Sequence, residues 1–252
     1  MSIVYPIKIF IFLCYNFSMN LNKVQREIKK LASPTRAGLL GRFFKTGPGQ
    51  YGEGDKFLGL TVPQVRIIVK KYYQALTLPE TAKLLASPYH EFRLTGALIL
   101  IAKYQTAEIK NKKKFFAFYF ENIKAFNNWD LVDLTAHKIV GDYLLDKDRK
   151  ILFSLAKSPN LWERRVSVIA SFAFINNRQF SESLKLAKIL LTDCHDLVHK
   201  AVGWMLREVG KRDQPVLLKF LNQHASTMPR VMLRYALEKL PKKQRQYYLR
   251  QK

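Results

Sequence analysis

The chain is poor in cysteine and in acidic side chains, and these two shortages limit the classes of protein to which it can belong. Its 252 residues include two cysteines, Cys14 and Cys194, too few for a disulfide framework or a cysteine-built zinc site, so a reducing, intracellular setting is expected. Asp and Glu number 19 against 43 Lys and Arg, and the net charge of +24 predicts a polyanionic partner such as nucleic acid. A hydrophobic fraction of 48% excludes a disordered basic tail. A solvated basic surface, a ribosome-associated protein and a membrane-surface protein are the alternatives.

One apolar run stands out, at residues 1–18, and it contains a single lysine. It is too short for a transmembrane helix and lacks the small-residue cleavage site of a signal peptide. Because Met19 opens a polar helix directly afterwards, we expect residues 1–18 to be an extension outside the fold or a mis-assigned start. A weak membrane anchor is the alternative. Residues 19–252 are predicted to form a single domain.

The rest of the chain shows helical periodicity and no alternating strand pattern. A unit of short helix, turn and longer apolar helix recurs about every 32–40 residues, with its apolar helices predicted at 94–102, 166–174, 201–209 and 235–240. This spacing predicts an all-α, HEAT-like repeat superhelix, an α-solenoid with a concave basic groove. The glycine-rich segment 47–54 lacks a preceding strand and a following Lys-Ser/Thr, which favours a flexible connector over a phosphate loop. A loop that reaches the ligand is the alternative.

The stretch from Asn127 to Tyr143 carries the clearest functional signal. Asn127 or Asn128 is predicted to cap a helix, with Asp130 closing a capping box. The helical period predicts one buried face, made of Val132, Ala136, Ile139, Val140 and Tyr143. Trp129 and Asp133 are four residues apart and therefore neighbours on this helix, which places an acid beside an indole in a strongly basic chain.

Alignment of the repeats places five charged residues at equivalent positions, and we expect them to form a row on the concave face: Arg93, Asp133, Arg165, Lys200 and Arg234. A row of cations suits a phosphate backbone. An acid within that row disfavours phosphate binding, so Asp133 requires another role. The alternative is an intramolecular salt bridge between Asp133 and Arg165.

Two tryptophans lie close to this row. Trp204 follows Lys200 by four residues, as Trp129 precedes Asp133 by four, and Gly203 leaves room for a close approach. The pair predicts an aromatic cleft for a sugar or a cationic base, whereas Trp162 is interpreted as packing.

Two other arrangements are weaker. Asp130 and Asp133 could form a carboxylate pair for glycoside chemistry, but a cap and one functional acid explain the spacing more simply. His195, Asp196 and His199 could contribute to a metal site, but the sequence places no further ligand, so no metal is predicted.

Three runs together resemble the AlkD-type DNA alkylation-repair glycosylases, an all-helical family of HEAT-like repeats. They are NNWDLVD at 127–133, LWERR at 161–165 and HKAVGWMLREVGKRD at 199–213, and the resemblance covers roughly residues 20–249. By this resemblance Asp133 corresponds to the catalytic aspartate, and Trp129 and Trp204 to the two active-site tryptophans. Arg165 corresponds to the arginine of the cleft and Arg207 to a further basic DNA contact. The apolar start, residues 1–18, is not part of the family pattern.

The resemblance implies hydrolysis of the N-glycosidic bond of cationic N3- or N7-alkylated purines in double-stranded DNA. It implies no metal or organic cofactor, and a monomer without a stable protein partner that leaves the base outside any pocket. The expected location is the cytoplasm, on the nucleoid when bound to DNA. The alternative is a non-catalytic HEAT-repeat nucleic-acid-binding or scaffold protein, which would gain nothing from an acid in its groove.

Overall fold

A computed structural model describes residues 20–251, and the helices within them are numbered here from α1. The predictions for residues 1–18 and for Met19 lie outside the described residues. The described part of the chain forms two compact units that divide between Leu131 and Val132. The prediction of one domain over residues 19–252 stays a prediction.

The first unit consists of successive helices joined by short turns and one longer segment between α2 and α3. Their bounds are α1, which includes 20–30, α2 at Pro34–Phe43, α3 at Val62–Tyr72, α4 at Leu78–Leu85, α5 at His90–Thr106 and α6 at Lys112–Glu121. α3 and α4 begin with capping boxes and a proline in the first turn. α5 packs on both α3 and α4, so its buried central part forms the core of this unit.

The boundary between the units falls inside α7, Trp129–Thr135, which runs directly into a π-helical segment at Ala136–Gly141. The helices of the second unit follow as α8 at Lys150–Leu155, α9 at Leu161–Ala170, α10 at Phe172–Asn176, α11 at Ser181–Ile189, α12 at Asp196–Arg212, α13 at Gln214–His224, α14 at Arg230–Leu237 and α15 at Lys242–Arg250. Across residues 20–251 the only β-pairing is an isolated bridge between Lys56 and Tyr89. The prediction of an all-α fold of the α-solenoid class is confirmed.

The predicted repeat helices differ from the observed ones mainly at their ends. The predicted 94–102 and 201–209 lie inside α5 and α12, because the polar runs before them form the first turns of the same helices. The predicted helix at 166–174 is divided between α9 and α10 at Ser171, whose Oγ donates to the carbonyl of Val168 at 2.7 Å. The last predicted helix, 235–240, starts earlier and ends earlier, as α14.

The π-helical segment changes which residue ends the buried face of α7. The first four predicted core residues of this face are fully buried, from Val132 to Val140. The fifth, Tyr143, is half-buried, and Leu144 takes its place in the core with 3% exposure. A π turn adds a residue to the helical repeat, so the apolar stripe moves along by one position. The prediction of Tyr143 as a core residue is therefore wrong.

Close helix packing in the second unit depends on glycine. α12 packs on α9 and on α14, and a Cβ at Gly203 would overlap the carbonyl oxygen of Met232 on α14. In the same way, a Cβ at Gly141 would overlap the carbonyl oxygen of Ala170 on α9. The close approach predicted at Gly203 is thus an approach between two helices.

Glu91 fixes the segment between α2 and α3 in the first unit. Its side chain is buried, with 2% exposure, and accepts hydrogen bonds from the backbone N–H groups of Leu58, Gly59 and Leu60 at 2.9, 2.7 and 3.2 Å. Gly59 has a φ of +88° and no space for a Cβ, so this chain path requires glycine. A single carboxylate therefore satisfies three backbone N–H donors that lie outside any helix.

We expect Glu91→Gln to lower the free energy of unfolding by about 2 kcal/mol, because an amide N–H₂ would replace one acceptor and face a buried N–H donor. Chemical denaturation followed by circular dichroism measures this change. Glu53→Gln is the matched control, since Glu53 accepts from the backbone N–H of Gly49 in an exposed turn. Equal losses from the two variants would contradict the assignment of Glu91 as an anchor.

Candidate active site

Asn128 sets the start of α7 and ties it to the core of the first unit. Its Oδ1 accepts from the backbone N–H of Trp129 at 2.8 Å, and its Nδ2 donates to Asp55 Oδ2 at 3.1 Å. Asn128 is fully buried, which makes this connection rigid. Asp130, predicted to close a capping box, accepts from the N–H of Leu131 through Oδ1 and binds His90 through Oδ2.

Trp129 lies within a group of aromatic side chains of the first unit. Its ring stacks on Phe44 with centroids 5.2 Å apart and meets Phe43 edge-on at 6.0 Å. The indole Nε1 donates to the hydroxyl of Tyr51 at 3.3 Å. Tyr51 belongs to the glycine-rich segment 47–54, so this segment contacts a predicted site residue and does more than connect two helices.

A buried ionic cluster lies beneath this aromatic group. His90 Nε2 lies 2.8 Å from Asp130 Oδ2, and Nδ1 lies 3.6 Å from Asp55 Oδ2. Burial alone would lower the pKa of His90, but the contacts with Asp130 and Asp55 outweigh it and raise the pKa to about 9. Burial likewise opposes ionisation of Asp55, yet His90, Arg93 and Asn128 hold the pKa of this carboxyl below its usual value. His90 and Asp55 are therefore both ionised at neutral pH.

Arg93 belongs to this cluster and is 4% exposed. Its Nη2 donates to Asp55 Oδ1 at 2.6 Å, and its Nη1 donates to the carbonyl of Ser87 at 2.9 Å. A guanidinium in this position offers almost no surface to a phosphate. Arg93, predicted to contact DNA, is therefore buried inside the first unit, and it is not among the DNA contacts proposed below.

Asp133, the predicted catalytic residue, forms a bidentate ion pair with Arg165 in the second unit. Arg165 Nε lies 2.9 Å from Asp133 Oδ1, and Nη2 lies 2.8 Å from Oδ2. The remaining Arg165 nitrogen, Nη1, donates to the carbonyl of Leu197. The arginine side chain is 6% exposed, whereas that of Asp133 is 18% exposed. The structure thus contains the salt bridge that the sequence left as an alternative, and the acid of this pair still reaches the surface.

Trp204 is half-buried on α12 and contacts Phe172, with ring centroids 6.0 Å apart. Phe172 meets the imidazole of His137 edge-on at 5.5 Å. Burial, and secondarily the charge of Lys138, lower the pKa of His137 to about 4, so this imidazole is neutral at pH 7. His137 follows Asp133 by one helical turn, so the second unit places neutral aromatic rings around the helix that carries the acid.

The other predicted DNA contacts of the second unit differ in exposure. Lys200 Nζ lies 2.8 Å from Asp196 Oδ2 on the same helix, in a pair with both side chains at least 36% exposed. Arg234 is exposed on α14. Arg207 is ion-paired with Glu238, and its side chain is 17% exposed. Lys200 and Arg234 are therefore the members of the predicted row that present positive charge at the surface.

No group of three or more His, Cys, Asp or Glu side chains within residues 20–251 is arranged to hold a metal ion. His195 Nδ1 accepts from the backbone N–H of Leu197 at 3.1 Å, and His199 Nε2 donates to the carbonyl of Asp193 at 2.6 Å. These two histidines thus bind backbone groups. A search of the same residues for membrane spans finds no helix of sufficient length and apolarity to cross a bilayer.

Sequence reasoning missed the residues that support Trp129 from beneath. His90 was one histidine among five, and Asp55, Phe44 and Tyr51 lie in or beside a segment interpreted as a connector. These residues have partners that are distant in the sequence: His90 and Asp55 are 35 positions apart, and Tyr51 and Trp129 are 78 positions apart. Helical periodicity does not report such distant pairs.

Comparison with known proteins agrees with the predicted resemblance. The protein family described as DNA alkylation repair enzyme matches residues 24–240 of this chain. A solved structure described as a predicted DNA alkylation repair enzyme from Enterococcus faecalis is similar with a TM-score of 0.66 and 16% sequence identity. The match covers 84% of this chain and 97% of that one. The search of curated proteins gave no match. The predicted family resemblance is confirmed, and the structural likeness supports the same fold.

Proposed function

Because this chain belongs to the family of DNA alkylation repair enzymes, we propose that it is a DNA glycosylase for cationic N3- and N7-alkylated purines in double-stranded DNA. The observation that carries the proposal is the Asp133–Arg165 pair, in which a buried arginine fixes a carboxylate that is still 18% exposed. The proposed protein acts as a monomer and requires no cofactor. Because such a protein would act on genomic DNA, we propose a cytoplasmic location, at the nucleoid when the protein is bound to DNA.

The proposed reaction breaks the bond between C1′ of the deoxyribose and the purine nitrogen. The bonding electron pair leaves with the base, whose positive charge is thereby neutralised, and positive charge develops on the sugar. Water then adds its oxygen to C1′ and loses a proton, which leaves an abasic site and a free alkylpurine. The developing oxocarbenium charge is where an enzyme gains most by placing a fixed negative charge.

Asp133 would supply that negative charge and orient the attacking water. The Arg165 guanidinium fixes the carboxylate by two parallel N–H···O bonds. The carboxylate is thereby pre-organised, so little reorganisation is needed as the sugar becomes cationic. Arg165 therefore acts as a positioning residue in this scheme.

Trp129 and Trp204 would stabilise the same cation through their π faces. A cation over an indole gains up to about 2 kcal/mol when water is excluded. Both rings are half-buried and held by neighbouring aromatic side chains, Phe44 for Trp129 and Phe172 for Trp204. Rings supported in this way keep one orientation, which cation–π stabilisation requires.

A second reading follows from the same ion pair. A bidentate bond with a buried arginine is also what a purely structural aspartate would form, as expected for a non-catalytic DNA-binding or scaffold protein. The two readings separate on chemistry alone, since a binder releases no base.

Release of free base from methylated DNA tests the proposal directly. Duplex DNA treated with a methylating agent is incubated with the protein, and released bases are identified by chromatography and mass spectrometry. We expect 3-methyladenine or 7-methylguanine to appear faster than in a protein-free control. Binding without any release above that control would leave the non-catalytic reading.

Binding to undamaged duplex DNA is expected to be weak, largely independent of sequence and strongly dependent on salt. The surface cations Lys200 and Arg234 suit phosphate contacts and show no arrangement for reading bases. The slope of log K against log salt is negative, and each lost phosphate contact reduces its magnitude by about 0.9. Replacing both residues with glutamine should therefore reduce the magnitude of that slope by about 2, measured by fluorescence anisotropy.

Lys150→Gln is the matched control for this measurement, because Lys150 lies in the second unit with 90% exposure but outside the predicted row. Its substitution should change the slope by much less than 1. An affinity that hardly changes with salt, or an equal effect from Lys150→Gln, would contradict the assigned DNA contacts.

A further inference from the structure

The proposed reaction leaves one buried ionised group of the first unit without a role. His90 is 3% exposed and lies between two carboxylates, Asp130 and Asp55. Its imidazole also stacks on Phe57, with centroids 4.8 Å apart, and contacts Phe44 in a tilted arrangement, with centroids 5.1 Å apart. A buried histidine between two acids is an expensive arrangement unless it holds something in place.

The residues on both sides of Trp129 are tied to this arrangement. Asn128, directly before Trp129, donates to Asp55, and Asp130, directly after it, binds His90 Nε2. The ring of Trp129 itself stacks on Phe44, which also contacts His90. The backbone and the side chain of Trp129 are thus connected to His90 by separate routes.

We propose that His90 is a positioning residue for Trp129: its imidazolium joins Asp130 of α7 to Asp55 and supports Phe44, and so holds the indole in one orientation. The part of this proposal that concerns base release depends on the proposed glycosylase function. The part that concerns the orientation of Trp129 does not.

The protonated form of His90 is essential to this role. Only the imidazolium carries a proton on both ring nitrogens and a charge that attracts both carboxylates. The charged groups around it are Asp130 from α7, Asp55 from the segment before α3, and Glu91 and Arg93 from its own helix, of which Glu91 binds the backbone of residues 58–60. The two facing carboxylates account for the raised pKa of about 9.

The direction of the pH effect follows from that raised pKa. A histidine whose folded pKa lies above its unfolded value adds stability that is complete below about pH 6.5. That contribution is lost as the pH rises through about 9, where His90 of the folded protein loses its proton. Above this pH the neutral ring no longer carries the charge that attracts Asp55, 3.6 Å from Nδ1, and the start of α7 is held less firmly.

Nuclear magnetic resonance of the carbon-bound ring protons of tryptophan, which do not exchange with water, tests the orientation of Trp129 without any DNA. The Trp129 signal is identified by its loss in Trp129→Phe and is followed from pH 6 to pH 10.5 in the full chain. We expect this signal to shift with a midpoint near pH 9 in the wild type, and to show no such step in His90→Gln. His224→Gln, which changes a histidine of the second unit on α13, should retain the step.

Asp130→Asn provides a second variant in case His90→Gln does not fold. It retains the size of the side chain but removes one of the two charges that stabilise the imidazolium, so the midpoint should move to lower pH. A Trp129 signal that does not change near pH 9 in the wild type would overturn the proposal. An unchanged step in a folded His90→Gln protein, or an unchanged midpoint in Asp130→Asn, would do the same.

The rate of base release under single-turnover conditions tests whether this orientation matters for the reaction. At pH 7 we expect His90→Gln to release 3-methyladenine about tenfold more slowly with unchanged DNA affinity. The wild-type rate should fall through pH 9 towards that of the variant. Equal rates at pH 7 in an active wild type would overturn the role in the reaction. If the wild type releases no base, the proposed function fails, and the indole signal alone decides whether His90 positions Trp129.

Discussion

Substitution of Asp133 by asparagine is expected to slow the release of a cationic alkylpurine by about a hundredfold or more. This is the typical loss when one pre-organised electrostatic group is removed from an enzyme's active site. Affinity for duplex DNA should hold or rise, because a charge of the same sign as phosphate is removed. Single-turnover release of 3-methyladenine and fluorescence anisotropy with intact duplex measure the two quantities separately.

The ion pair adds a second expected result to this substitution. Arg165 is buried and would lose the carboxylate that pairs with it, so Asp133→Asn should also lower the free energy of unfolding, by about 2 kcal/mol. A fall in stability alone therefore does not separate a catalytic aspartate from a structural one. The comparison needs a variant that loses an equivalent pair elsewhere.

The neighbouring pair of Arg164 and Asp193 provides that control. Arg164 Nε lies 2.6 Å from Asp193 Oδ2 and Nη2 lies 3.4 Å from Oδ1, with side chains 13% and 3% exposed. Asp193→Asn should destabilise the protein to a similar extent or more, since Asp193 Oδ1 also accepts from the N–H of His195. At a temperature where both variants are folded, only Asp133→Asn should lose base release. A folded Asp133→Asn protein with the wild-type rate would refute the catalytic assignment.

Local periodicity predicts the helices well, because it depends on residues a few positions apart. The buried face from Val132 to Val140 follows the helical period, and the all-α fold follows from the repeat. The error at Tyr143 has a local cause of another kind, since the π turn at Ala136–Gly141 leaves no mark in a 3.6-residue pattern.

The candidate site could be predicted only where one helix or one repeat brings its residues together. Arg165 follows Asp133 by about one repeat, so the ion pair that these two residues form could be predicted from the sequence. Arg93 occupies the same repeat position but faces Asp55, an acid from an irregular segment that no repeat predicts. Equivalent positions in a repeat thus predict the backbone position of a side chain. The ion-pair partner of that side chain then decides whether its charged group can reach a ligand.

Replacement of Trp204 by alanine is expected to slow base release by about tenfold or more while DNA affinity changes little. An indole that stabilises the sugar cation by up to about 2 kcal/mol accounts for a factor of this size. The ring is half-buried and contacts Phe172, so its removal should lower the free energy of unfolding by less than the 3–5 kcal/mol of a fully buried tryptophan. Trp204→Phe should recover part of the rate, because phenylalanine retains a weaker π face.

Trp162→Ala separates loss of the cation contact from loss of packing. Trp162 is also half-buried in the second unit, on α9, and the sequence assigns it to packing. The two alanine variants should therefore lose similar amounts of stability, measured by chemical denaturation, while only Trp204→Ala slows release. Equal rates of base release from the two variants would contradict a contact between Trp204 and the reacting sugar. A larger loss of rate in Trp162→Ala than in Trp204→Ala would assign that contact to Trp162, near the start of α9.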